Sequence, residues 1–197
     1  MQVKFWVLIV FATMYCLTVK AQSTKKLQEN NGFKNHKLGS KYTSLYGTKS
    51  KQPDGTDKVV VLTKESIGNI PVQGIDLIYI ADTLARIIVQ VETHYHSSLL
   101  EACKGSFGMY TKDISSNEKT NGANKADSTA KAYASSERNY SDQYLWEAPG
   151  IIMEYRYIYP KVAGDRYAGS SLTLIYSLKN YDLRLQRFGK KFSAKDF

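Results

Sequence analysis

His94, Tyr95 and His96, flanked by Glu92 and Glu101, form the densest group of metal-type ligands in the chain. In an extended backbone alternate residues point the same way, so two imidazoles at this spacing would face one ion. A zinc ion needs a third and usually a fourth ligand, and His36 is the only other histidine. The group therefore reads as the solvent-facing junction of a strand and a helix, and no metal site is assigned. Cys103 follows Leu99-Leu100-Glu101-Ala102, an apolar helical context. A catalytic thiol would need a basic partner, and this one reads as a small buried hydrophobe.

Hydrolytic signatures are sparse. G-x-S-x-G, H-E-x-x-H and a Gly-rich loop joining strand to helix are all absent, so no nucleophile elbow, zinc-protease helix or phosphate cradle is signalled. No catalytic residue and no cofactor is assigned. Glu147 and Glu154 are the acids nearest the aromatic sheet residues. They support an alternative reading, a small secreted hydrolase or carbohydrate-active enzyme using carboxylates.

The aromatic residues carry more information. Tyr144, Trp146, Tyr155, Tyr157, Tyr159 and Tyr176 crowd towards the C-terminus, with Tyr167 and Tyr181 among them. Tyrosine and tryptophan give large contact areas at low entropy cost. Trp146, Tyr155, Tyr157 and Tyr159 are therefore read as an amphipathic recognition surface. Arg156, with Arg166 nearby, would suit a partner that carries carboxylates.

The elements that position these residues follow from periodicity. Lys58 to Lys64 is a short β-branched strand. Ile75 to Ile80 and Leu84 to Glu92 are strand-like runs joined by Ala81-Asp82-Thr83, with Ile87, Val89 and Val91 on one face. After Thr93 the period becomes helical: Tyr95, Leu99, Leu100, Cys103 and Phe107 share a face, and Gly105 and Gly108 end the run. From Thr111 to Gln143 Ile114 is the only aliphatic residue larger than alanine, so a flexible insertion is expected over about 111–143. Order returns with Ile151 to Pro160 and Ser171 to Leu178, a second hairpin.

The expected fold is α+β: an antiparallel sheet of two β-hairpins, one main helix packed on one face, and the insertion between helix and second hairpin. A single domain would cover 33–188, after a flexible leader at 22–32 and before a basic tail at 189–197.

Met1 to Ala21 reads as a secretory signal peptide. Lys4 gives a positive n-region, Phe5 to Leu17 an apolar h-region, and Val19 and Ala21 a V-x-A cleavage site. The apolar run falls short of the ~20 residues of a membrane-spanning helix. Cleavage removes two lysines and no acid, which takes the net charge from +9 to +7. It also removes Cys16, leaving Cys103 unable to form an intramolecular disulfide. The scattered lysines read as solubility and loose attraction to anionic surfaces, with no nucleic-acid partner.

Leu99 to Gly108, Tyr144-Leu145-Trp146 and the Ile151 to Pro160 run together resemble small exported bacterial proteins of unknown function, in which a helix ending in Tyr/Phe-Gly precedes a Tyr-x-Trp strand. The helix-then-sheet layout is similar to the β-lactamase-inhibitor-like and BamE-like folds. That resemblance implies binding to other proteins rather than catalysis. The expected role is thus a soluble, non-enzymatic binding protein of the cell envelope or the secreted fraction, periplasmic or extracellular, meeting a protein or cell-wall partner. The exported chain is expected to begin at Gln22. N-terminal sequencing of the protein from its own cells checks this, and a chain that still begins at Met1 would refute the cleavage.

Overall fold

The computed structural model describes residues 25–115, 139–160 and 170–193. The signal segment, most of the expected insertion, Arg166, Tyr167 and the last four residues lie outside this set. Helix α1 spans residues 25–30 and leads into a small hairpin, β1 (Gly32–Phe33) and β2 (His36–Lys37). Then follow β3 (Ser50–Lys51), β4 (Asp57–Val61), β5 (Ser66–Ile67), β6 (Ile70–Ile80) and β7 (Thr83–Val91). Helix α2 (His96–Phe107) precedes β8 (Lys112–Asp113), β9 (Asn139–Glu147), β10 (Ile151–Pro160), β11 (Ser171–Leu178) and α3 (Tyr181–Ser193).

This is a mostly β protein, which corrects the expected α+β fold of two hairpins and one helix. A nine-stranded antiparallel sheet runs β3-β4-β6-β7-β11-β10-β9-β8, with β5 paired to β6 off that path, and β1-β2 form a separate two-stranded sheet. The additional strands come from segments without an apolar signature. The two-residue strands β3, β5 and β8 are too short to show any period. The first half of β9, Asn139 to Gln143, is polar yet pairs residue for residue with β10. The stretch expected as a leader is helical over 25–30 and seats Leu27 in the core at 1% exposure. The expected basic tail begins inside α3.

One face of the sheet is the core. Directly paired residues make two rows across the strands. The first is Val59, Leu77, Ile87, Tyr176, Met153 and Trp146, every one buried. The second runs Val61, Ile75, Val89, Leu174, Tyr155 and Tyr144. Alternation puts every member of a row on the same side. The β6–β7 connection is a two-residue turn in which Ala81 and Asp82 have φ of 47° and 62°. Two central residues at positive φ give the turn whose twist matches that of the flanking strands.

Helix α2 lies on this face, burying Leu99, Cys103 and Phe107 at successive i, i+4 positions. The sheet pins both of its ends. Tyr155 Oη donates to the His96 carbonyl at 3.0 Å, and Trp146 Nε1 donates to the Gly108 carbonyl at 2.9 Å. The β1–β2 hairpin covers a neighbouring part of the same face, with Phe33 6.1 Å from the Tyr176 ring. Only glycine fits at position 32: φ is 140°, and a Cβ there would lie 2.1 Å from the His36 carbonyl oxygen.

On the opposite face, α3 packs over one end of β6 and β7 with Tyr181, Leu185 and Phe188 against Ile78, Ile80 and Ala85. The Arg86 guanidinium lies 3.6 Å from the Tyr181 ring centre. Beyond α3, Asp76 is 6% exposed and is held by Lys58 Nζ at 2.7 Å and Gln90 Nε2 at 3.3 Å. This ties β4, β6 and β7 together through one carboxylate.

Two outcomes follow. Lys58→Met leaves the Asp76 carboxylate buried without its cation and is expected to cost about 2–4 kcal/mol in urea unfolding. Adding Asp76→Leu should recover most of the loss, whereas a double variant as weak as the single would place the deficit in packing. The second concerns the hairpin. His36 is 5% exposed and its Nδ1 has no hydrogen-bond partner. Burial holds its pKa below the ordinary value against the smaller opposing pull of Glu65. An imidazole that resists protonation when folded binds a proton first in the unfolded chain. Its contribution to stability is therefore full above about pH 6.5 and lost as pH falls below it. His36→Gln should flatten the urea midpoint between pH 7 and pH 5 relative to wild type, and an unchanged pH profile would refute the assignment.

Candidate functional site

The rings expected on an open face are packed inward. Tyr155 is 1% exposed, Trp146 2% and Tyr157 8%, while Tyr159 is half-buried with its ring tilted against Tyr157, centres 5.0 Å apart. Their alternation was read correctly as one face of β10, but that face is the one covered by α2. The indole N–H and one phenol hydroxyl are already engaged in holding the helix. Arg156 projects from the other face and pairs with Glu154 two residues away, Nε to Oε1 at 2.7 Å. A recognition surface built from Trp146, Tyr155, Tyr157, Tyr159 and Arg156 therefore does not form as one open patch.

The two acids of the hydrolase reading are also occupied. Glu154 faces Arg156, and Glu147 lies 3.5 Å from Lys179 Nζ. The histidines diverge, since the backbone is helical here and not the extended chain that would align them. His94 sits in a 3-10 turn (Thr93–Tyr95) with Nδ1 3.1 Å from Glu92, and His96 opens α2, stacked 4.8 Å from Tyr157 at 5°. Ser97 Oγ lies 3.2 Å from His96 Nδ1 and 3.5 Å from Nε2. A nucleophile relay keeps one ring nitrogen for the hydroxyl and the other for a carboxylate, and here one hydroxyl borders both. Asp142 is directly across from Tyr157, and burial raises its pKa against the opposing charge of His96. Among the described residues no group of three or more His, Cys, Asp or Glu side chains is placed to hold a metal ion. No described helix is long and apolar enough to cross a membrane.

A buried polar group lies under the β1–β2 hairpin. The His36 ring meets Tyr46 edge-on at 4.8 Å, and Tyr42 meets Tyr79 edge-on at 5.6 Å. Tyr79 Oη and Glu65 Oε2 share with His36 Nδ1 the lack of a hydrogen-bond partner. Burial pushes the Tyr79 phenol up to about 12, so it stays protonated at neutral pH.

The hairpin borders a cleft of about 350 Å³. Its apolar lining is Phe33, Ile67, Phe107, Leu174 and Tyr176, with the Cys103 thiol among them. Burial pushes that thiol up to about 12, so it serves as lining and not as a nucleophile. Asn30, Lys34 and Lys37 form the edge on the hairpin side, and Ser106 the edge on the last turn of α2. No aspartate or glutamate is among the lining residues. Apolar walls with a few polar groups at one side are the usual composition of a small-molecule site, and the volume is at the small end of their range. A second hollow of about 370 Å³ at the end of β7 and β11 has a mostly polar lining, including Gln73, Gln90, Glu92 and Thr93.

Reasoning from sequence missed the cleft because its walls come from α1, the hairpin, β5, α2 and β11. Only Leu174, Tyr176, Cys103 and Phe107 carried a periodic signal. Lys34 and Lys37 stand out only once the hairpin is formed. No protein-family model, no curated protein and no solved structure matches the chain.

Proposed function

We propose that the protein is an exported, non-enzymatic binding protein whose site is the cleft between the β1–β2 hairpin and α2. The observation that supports this is the cleft itself: a concave, partly apolar space whose single thiol is held protonated and whose edge carries two lysines. The aromatic residues first read as the binding surface support it indirectly, since they fix α2 and hence one wall. Export rests on the signal segment Met1 to Ala21 and places the site in the envelope or outside the cell. A small occupant suits a cleft of this size better than a folded partner, which needs a far broader contact.

Native mass spectrometry of the protein isolated from its own cells tests the reading. Wild type is expected to carry an added mass that gentle activation releases. Ser106→Trp, which puts a bulky ring at the edge of the cleft from an exposed helix position, should lose that mass while keeping the wild-type melting curve. The same added mass on the folded variant would place binding elsewhere and sink the proposal.

A further inference from the structure

We propose that the cleft takes a small organic anion with an apolar body, such as a medium-chain carboxylate, its charge held at Lys34 and Lys37. The inference rests on the reading of the cleft as the site and deepens it to a class of ligand.

Charge complementarity sets the head. Both lysines are exposed and belong to the hairpin, and neither is ion-paired with a carboxylate among the described residues. Lys37 Nζ donates to the Asn30 carbonyl at 2.5 Å, which uses one of three ammonium donors and fixes the group at the cleft edge. An anion there meets two cations and no acid in the lining. The opposite wall enforces the polarity. It is the last turn of α2, whose carbonyl end carries partial negative charge and repels an anion. The charged head therefore lies on the hairpin side.

The lining sets the tail. Beside the lysines the cleft is lined by Phe33, Ile67, Phe107, Leu174 and Tyr176. Such walls offer nothing to an inorganic anion and gain from covering methylene or ring carbons. A neutral apolar molecule would use the walls but leave the lysines unanswered. The ligand that uses both ends has one charged head and an unbranched or aromatic body.

Displacement of the fluorescent aryl sulfonate 1-anilinonaphthalene-8-sulfonate tests the class, using the purified chain with its N-terminus read by mass spectrometry. Decanoate should displace the dye, and decanol should do so about tenfold less well or worse. The double variant Lys34→Glu, Lys37→Glu should weaken decanoate about tenfold or more. Lys34→Arg, Lys37→Arg should restore it, which separates charge from misfolding. Equal displacement by decanol and decanoate, both blocked by Ser106→Trp, would overturn the anionic class and leave the cleft as the site. Decanoate binding unchanged in Ser106→Trp would overturn both. Failure of decanoate to displace the dye from wild type would overturn the class alone, because the co-isolated mass tests the cleft without assuming a ligand.

Discussion

Strand β7 meets β11 along six residue pairs, from Val91↔Leu172 to Arg86↔Ser177. These partners are about eighty to ninety positions apart, and this ladder joins strands β3 to β7 and strands β8 to β11 into one sheet. It sets Ile87 against Tyr176 and Val89 against Leu174, completing the two rows of core side chains. A slip of one residue would turn Leu172, Leu174 and Tyr176 outward and strip them from the core face on which α2 packs. Closing so long a loop costs entropy before the contacts repay it, so this junction governs how slowly the sheet assembles. Every feature of the cleft depends on it. Leu174 and Tyr176 line that space only in this register.

The aromatic residues show how a correct period can support a wrong use. Alternation places Tyr155, Tyr157 and Tyr159 on one side of β10, and the structure keeps them there. What alternation cannot supply is which side the helix covers. Tyrosine serves on exposed and covered faces alike, because its ring packs while its hydroxyl seeks a partner. Here the Tyr155 hydroxyl donates to a backbone carbonyl at the start of α2 and the Trp146 indole to one just past its end, atoms invisible in a list of side chains. The same ambiguity separated His94 from His96, since a 3-10 turn replaced the extended chain that would have aligned them.

Legibility elsewhere followed segment length and hydropathy. β6, β7, β10 and β11 are long enough for their patterns to show; β7, β10 and β11 were read near their true positions, and β6 in its second half alone. β9 begins in a polar run, and its strand character comes from pairing with β10 rather than from composition. The two-residue strands carry no pattern of their own. Residues 25–30 looked like a solvated leader because Leu27 is their only large apolar side chain, yet one buried leucine is enough to seat a single helical turn. The candidate site inherits all of these difficulties, for it gathers side chains from five elements and from both ends of the described chain.

The two hydrogen bonds that hold α2 join it to β9 and β10 at opposite ends, so helix and sheet form one stiff plate. The β1–β2 hairpin is held differently, by two-residue strands and a few inward side chains. Mechanically the cleft is a gap between a plate and a narrow leaf. The leaf joins the rest of the chain at Asn31 and Leu38, whose mutual hydrogen bonds close the hairpin's base. The leaf's distance from the plate is set by how deeply Phe33 and His36 seat, both buried.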